Sequence, residues 1–251
     1  MTQILSGKRA LVTGGARGIG LAITRQLVAA GAEVVIGGRS RATLDAVANA
    51  EGVLSIAVDV TDPDQVREAF AKAAPVDILI NCAGQAESAP FLRHDLGLWE
   101  RMLAVNLTGV FLCCHAVLPG MIDRGFGRII NIASTGGLAP YRYVAGYVAA
   151  KHGVIGLSRA LALEFADRGV TINAVCPGFT RTDMYEQAID NVVEKTGRNR
   201  DAAERALISG NPQNRPVEPH EVAHTTLWLC SPLASAVTGQ SIVVAGGEIM
   251  N

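Results

Sequence analysis

Tyr147 and Lys151 stand four residues apart in the run YVAAK, with Ser134 thirteen residues upstream. Four residues make about one helical turn, so the phenol and the ammonium would share a face. An ammonium beside a phenol favours the phenolate and is expected to pull its pKa down from about 10 toward neutral pH. Hydride addition to a ketone builds negative charge on oxygen, and the site therefore needs a hydrogen-bond donor aimed at that atom and a proton of matched pKa. Ser134 and Tyr147 are the residue types for those two tasks. The spacing alone is met by many solvated helix turns, so its meaning depends on the elements around it.

Those elements form a regular alternation. Ala10 to Thr13, Glu33 to Ile36, Leu54 to Val58, Asp77 to Asn81, Arg128 to Ile132, Val170 to Val175 and Ser241 to Val244 read as strands, separated by longer helical patterns. The runs are apolar nearly throughout, which predicts a doubly wound α/β fold: one seven-stranded parallel sheet covered by helices on both faces. A single Rossmann-like domain over residues 1–251 is expected. The one departure is the polar helical stretch Asp183 to Asn214, which carries Arg198, Arg200 and Arg205 and reads as a cover over a site.

Directly after the first strand comes TGGARGIG, Thr13 to Gly20, opening a helix. Gly14, Gly18 and Gly20 let the backbone turn tightly and approach a pyrophosphate, which the helix N-terminus attracts. The second strand ends in VVIGGRS, where the adenosine ribose of a dinucleotide would lie. Gly37 and Gly38 leave that place without a carboxylate, and Arg39 with Arg17 could pair with a 2′-phosphate, so NADP(H) is favoured over NAD(H). Asp59 is placed to accept from the adenine amino group, while Asp62 is the more natural helix cap.

Hydrophobic residues make up 49% of the 251 and charged residues 18%, with a formal charge of -1. That supplies a large core and argues against nucleic acid or an anionic membrane as partner, leaving a small molecule. Cys82, Cys113, Cys114, Cys176 and Cys230 form no CxxC pair and read as free, mostly buried thiols, and the five histidines have no metal-ligand spacing, so no metal is expected. The N-terminus shows no charged leader followed by an apolar run, and no uninterrupted apolar run approaches about 18 residues, from which a cytoplasmic protein is expected.

TGGARGIG, NCAG at Asn81, NLTG at Asn106, Ser134, YVAAK and PGFTRTDM at Pro177 together resemble the short-chain dehydrogenase/reductase family, in order and over the whole chain. Cys82 departs from the NNAG commoner in that family. The resemblance implies a nicotinamide cofactor, reversible carbonyl/alcohol chemistry and a homotetramer with subunit contacts through the helices Leu98 to Met121 and Tyr147 to Arg168. It makes Tyr147 the general acid/base, Lys151 its partner and a ligand of the nicotinamide ribose, and Ser134 the donor to the substrate carbonyl. Asn106, in a helix usually kinked in the family, would hold a water linking Lys151 to solvent. Gly14, Arg17, Gly18, Ile19 and Gly20 would hold the pyrophosphate side, and Arg39, Asp59 and Val60 the adenosine. Asn81, Ala83 and Gly84 would floor the adenosine ribose, and Pro177, Gly178, Thr180 and Thr182 the nicotinamide end. Val105 and Ile132 would line the pocket.

Within the family the chain looks similar to 3-oxoacyl thioester reductases and 3-hydroxyacyl-CoA dehydrogenases. Arg142, Arg181, Arg198, Arg200 and Arg205 could then meet the phosphates of CoA or of a carrier protein's pantetheine arm, with solvated surface charge as the alternative. A dehydrogenase of a small cyclic alcohol, polyol or sugar is the second reading. A non-catalytic nucleotide sensor is the third, although such a protein would be expected to have lost Tyr147 or Lys151.

Overall fold

The computed structural model describes residues 3–250 and contains one parallel sheet of β1 (Arg9–Thr13), β2 (Glu33–Gly38), β3 (Leu54–Ala57), β4 (Ile78–Asn81), β5 (Gly127–Ile132), β6 (Val170–Pro177) and β7 (Ser241–Val244). The strands lie in the order β3-β2-β1-β4-β5-β6-β7. The chain winds outward from β1 to β3, crosses over, and winds the other way from β4. Between β1 and β4 the loops diverge and leave a crevice at the carboxyl edge, where α/β sheets place their ligands.

Helices α1 (Gly18–Ala29), α2 (Arg41–Glu51) and α9 (Pro219–Cys230) cover one face, burying Ile23, Leu27, Leu44, Val222 and Leu229 against Val12 and Ile36. Helices α3 (Pro63–Ala73), α5 (Gly109–Asp123) and α6 (Ala145–Glu164) cover the other, burying Phe70, Met121, Val154 and Ile155 against Leu11 and Leu79. Successive strand residues point to opposite faces, so adjacent Leu11 and Val12 fall into different cores and the strands must be apolar throughout. Asp62 caps α3, accepting from the backbone N–H groups of Asp64 and Gln65, as the sequence suggests.

The long apolar helix is not one α-helix. It comprises α4 (Leu96–Leu103), a single π turn over Ala104–Thr108, and α5. By length and hydropathy Leu96–Asp123 could cross a membrane, but Val110, Cys113, Val117 and Met121 are buried in the core against the sheet, which accounts for its apolarity. Phe111 on α5 and Leu163 on α6 face outward, on the helices expected to make subunit contacts. The stretch after β6 folds as α7 (Asp183–Thr196) and α8 (Arg200–Ile208), joined by their own small cluster of Tyr185, Ile189, Ala203 and Ile208.

The register aligns Thr13 with both Gly37 and Asn81, and Asn81 with Asn131. Because the strands are parallel, the loops that follow all leave from one edge. Motifs far apart in the chain are thereby brought into one row.

Candidate active site

The crevice floor is built by backbone proximity. A Cβ placed on Gly14, whose φ is +68°, would lie 3.0 Å from Ala83 Cα, and one on Gly20 would lie 2.1 Å from the Gly14 carbonyl oxygen. Side chains at either position would force the loop open. Arg17 stands at the N-cap of α1 without a side-chain cap bond, and the first turn holds no acidic residue. The helix therefore presents its unpaired N–H groups to the crevice, a cradle that fits a pyrophosphate. Gly18, at φ +50°, faces Thr182 across the crevice, 3.1 Å from its methyl group to the position a Cβ would take. Ile19 lies half-buried behind this turn.

Thr13, which sequence reasoning did not single out, ties the two halves of this floor. Its Oγ1 accepts from the backbone N–H groups of Cys82 and Ala83, both at 3.2 Å. The signal was there: a hydroxyl at the last position of a buried strand, just before a Gly-rich loop.

At the adenosine end Gly37 and Gly38 carry no side chain, and Arg39 and Arg17 are exposed with no ion pair to another described residue. Asp59 Oδ1 accepts from Thr61 N at 3.0 Å and Thr61 Oγ1 at 2.8 Å, which locks the turn through Val60. The second carboxylate oxygen carries no bond to a described residue and can receive an amino group.

Lys151 is buried and its Nζ donates to Ile132 O at 2.8 Å, 5.6 Å from the centroid of the Tyr147 ring. Burial brings the ammonium down to about 8. The Tyr147 phenol is raised from its ordinary value, because burial outweighs the opposing influence of the Ser134 hydroxyl. This corrects the expectation that Lys151 pulls Tyr147 toward neutrality. Both groups are in a poor dielectric, where desolvation of the charged phenolate is the largest cause of the shift. At neutral pH the pair is phenol and ammonium, the form in which a proton can be given. Burial holds the neighbouring Cys82 and Cys176 thiols up at about 11 and therefore unreactive.

Ser134 ends the segment after β5 and its Oγ accepts from Gly136 N at 3.0 Å. The Cβ position of Gly136 lies 3.4 Å from both Ser134 Oγ and Tyr147 Cε1, so serine and tyrosine converge on this glycine.

Asn106 and Asn81 both turn their amides toward protein partners. Asn106 Nδ2 donates to Gln85 O at 2.9 Å and Met102 O at 3.0 Å, and its Oδ1 accepts from Gln85 N at 3.3 Å. Its side chain braces the π turn against the loop after β4. It still closes the site from behind, since a Cβ on Gly84 would meet Asn106 Oδ1 at 2.9 Å and Lys151 Nζ at 3.8 Å. Asn81 points away from the crevice: its Nδ2 donates to Asn131 Oδ1 at 2.8 Å, and Asn131 Nδ2 donates to Ser158 Oγ at 2.8 Å. Only the Asn81 backbone can face a ribose.

Beyond β6, Gly178 N donates to Val244 O at 3.0 Å, Thr180 Oγ1 donates to Gly178 O at 2.9 Å, and Thr182 Oγ1 donates to Thr180 O at 3.2 Å. This stepwise bracing carries the chain from Pro177 over the crevice into α7. The arginines nearby are largely spoken for. Arg181 pairs with Glu218 at 3.0 Å and Glu204 at 3.8 Å, and Arg200 pairs with Asp190 at 2.6 Å and with Glu186. Ion pairing within the helical pair and with α9 is thus what those two charges do. Arg142, Arg198 and Arg205 are exposed without an ion pair to a described residue.

Residues 8–192 match the profile of the short chain dehydrogenase family. A D-beta-hydroxybutyrate dehydrogenase of Rhizobium meliloti is 35% identical over 96% of this chain and 98% of its own. A 3-oxoacyl-(acyl-carrier-protein) reductase of Aquifex aeolicus is 39% identical over 97% of this chain and 98% of its own. Among solved structures, a variant actinorhodin polyketide ketoreductase crystallised with NADPH superposes with a TM-score of 0.92 at 36% identity, covering 99% of both chains.

Proposed function

Because the chain belongs to the short-chain dehydrogenase family, and is an NAD(P)-dependent oxidoreductase acting on alcohol and carbonyl groups, we propose that it uses NADPH to reduce a 3-oxoacyl thioester to the 3-hydroxyacyl product. The observation that carries the reaction is the convergence of Ser134 and Tyr147 on Gly136 with Lys151 buried behind them. Whole-length similarity to a 3-oxoacyl reductase supports the substrate class. The free arginines Arg142, Arg198 and Arg205 are the remaining cations for its phosphates.

The Gly14–Gly20 turn and the uncapped start of α1 would hold the pyrophosphate, with Arg17 and Arg39 at the 2′-phosphate and Asp59 at the adenine. Lys151 would hold the nicotinamide ribose, and Pro177, Gly178, Thr180 and Thr182 the nicotinamide end. When bound, the cofactor supplies the hydride to the ketone carbon. Ser134 Oγ–H donates to the carbonyl oxygen and Tyr147 Oη–H gives that oxygen its proton, completing the alcohol. Lys151, positive on the phenolate side, stabilises the anion left on Tyr147 until a proton is regained. Helices α7 and α8 would close over the substrate and exclude water.

Purified protein is expected to oxidise NADPH when given acetoacetyl-CoA; absence of consumption with that substrate would remove the thioester reading. The internal pairing of Arg181 and Arg200 favours the second reading, an uncharged polyol or cyclic alcohol, which a panel of such alcohols with NADP would reveal.

A pH dependence follows from Lys151. Its ammonium is lost above about 8, and a cofactor held by that ammonium binds the protonated form. NADPH affinity for the free protein should fall between pH 7 and pH 9.5 by about ten- to a hundredfold, the worth of a charge-assisted hydrogen bond. In Lys151→Gln the dependence should be flat. Fluorescence titration across pH reads both, and parallel curves for the two proteins would contradict the assignment.

A further inference from the structure

The segment after β7 turns back toward the catalytic residues. After β7 the backbone turns through Gly246 and Gly247, both at positive φ (61° and 90°), and brings Glu248 back over the carboxyl end of β6. A Cβ on Gly178 would lie 2.7 Å from Glu248 Oε2, and one on Gly210 would lie 3.6 Å from Glu248 Cγ. The carboxylate thus sits between the segment after β6 and the end of α8.

Its other oxygen, Oε1, accepts from the Tyr141 hydroxyl. That hydroxyl also lies 2.8 Å from Thr135 Oγ1, next to Ser134, and the Tyr141 ring packs edge-on against Phe179 at 6.2 Å. Gly136 is the common neighbour: the Cβ position that is 3.4 Å from Tyr147 Cε1 is also 3.6 Å from Tyr141 Cδ2. One phenol therefore ties Glu248 to the turn that carries Ser134. The carboxylate is half-buried and has no cationic partner among the described residues, with Arg181 and Arg200 engaged elsewhere.

We propose that Glu248, held by Tyr141, is a specificity-determining residue that excludes free carboxylates from this pocket, so that a 3-oxoacyl group is admitted as an uncharged thioester or ester. The proposal rests on the substrate reading given above. An incoming anion would meet a fixed negative charge in surroundings less polar than water, and like-charge juxtaposition is an effective means of rejecting a wrong partner. The uncharged thioester of the same acyl chain meets no such opposition.

Three probes with the same acyl group separate the cases: acetoacetate, ethyl acetoacetate and acetoacetyl-CoA, each followed by NADPH oxidation with the wild type, Glu248→Gln and Glu248→Asp. The glutamine keeps an acceptor for Tyr141 and removes only the charge. The wild type is expected to reduce the ester and the thioester, whose acyl ends carry no charge, with kcat/KM at least about a hundredfold above acetoacetate, and Glu248→Gln to raise the ratio of acetoacetate to ethyl acetoacetate at least about tenfold. Glu248→Asp, still charged, should keep a ratio near that of the wild type. An unchanged ratio in Glu248→Gln overturns the role of Glu248 while leaving the thioester reading intact. Turnover of ethyl acetoacetate without acetoacetyl-CoA overturns the thioester reading alone, and silence toward all three overturns both.

Discussion

Tyr147→Phe should lower kcat with acetoacetyl-CoA by about a thousandfold, or about 4 kcal/mol of transition-state stabilisation, within the range general acid catalysis supplies. The substitution removes one hydroxyl and no ring atoms, so packing around the half-buried ring is conserved. Ser134 keeps the bond from Gly136 N, and Lys151 keeps its bond to Ile132 O. The groups that hold the cofactor are thus left in place, and NADPH affinity should stay within about threefold of wild type. Loss of binding together with turnover would mean that the ring, not the proton, matters. Retention of more than about a tenth of kcat would remove Tyr147 from its assigned role. Because burial raises the Tyr147 phenol, it stays protonated through neutral pH and is ready to act in reduction. Alcohol oxidation needs the phenolate, so the oxidative rate should climb with pH over the range in which the reductive rate does not.

Arg39→Asp should weaken NADPH by about a hundredfold and strengthen NADH. A charge-assisted hydrogen bond to a phosphate is worth about 1.5–3 kcal/mol, and replacing the cation by an anion adds repulsion of the 2′-phosphate while offering an acceptor to a free 2′-hydroxyl. Arg39 is exposed at the end of β2 and makes no ion pair with a described residue, so little folding stability is at stake. Fluorescence titration of both cofactors against both proteins measures the switch. Equal changes for NADPH and NADH would show that Arg39 does not read the phosphate.

Much of this architecture is legible from residue patterns because parallel strands buried on both faces have to be apolar along their length. All seven strands occur where such runs stand, with ends shifted by a residue or two, as where β3 stops at Ala57 and β6 reaches Pro177. Convergence at the site was legible too, since Gly-rich turns and strand ends in a parallel sheet meet at one edge. What spacing could not disclose is the direction in which a polar side chain turns. Asn81 and Asn106 sit at the expected places, yet their amides serve the core and the π turn. Nor does spacing carry desolvation, which here reverses the expected shift of Tyr147. The arginines of 183–214 read as a basic surface until Glu186 and Asp190, one and two turns along α7, are seen to take Arg200. Glu248 could not be foreseen, because nothing local announces that the tail folds back past Gly247.

The string from Asn81 through Asn131 to Ser158 has a mechanical meaning. Ser158 lies seven residues after Lys151 and eleven after Tyr147, so all three fall along one stripe of α6. The string pins that stripe to β4 and β5 at a single height. Sliding α6 by one turn, about 5.4 Å, would break the string and strand its amides in the core. The interior amides thus act as an index mark, setting the axial position of the proton donor against the strands that carry the cofactor loops. The reacting end of the helix can then stay sparsely bonded and open to substrate without losing its alignment.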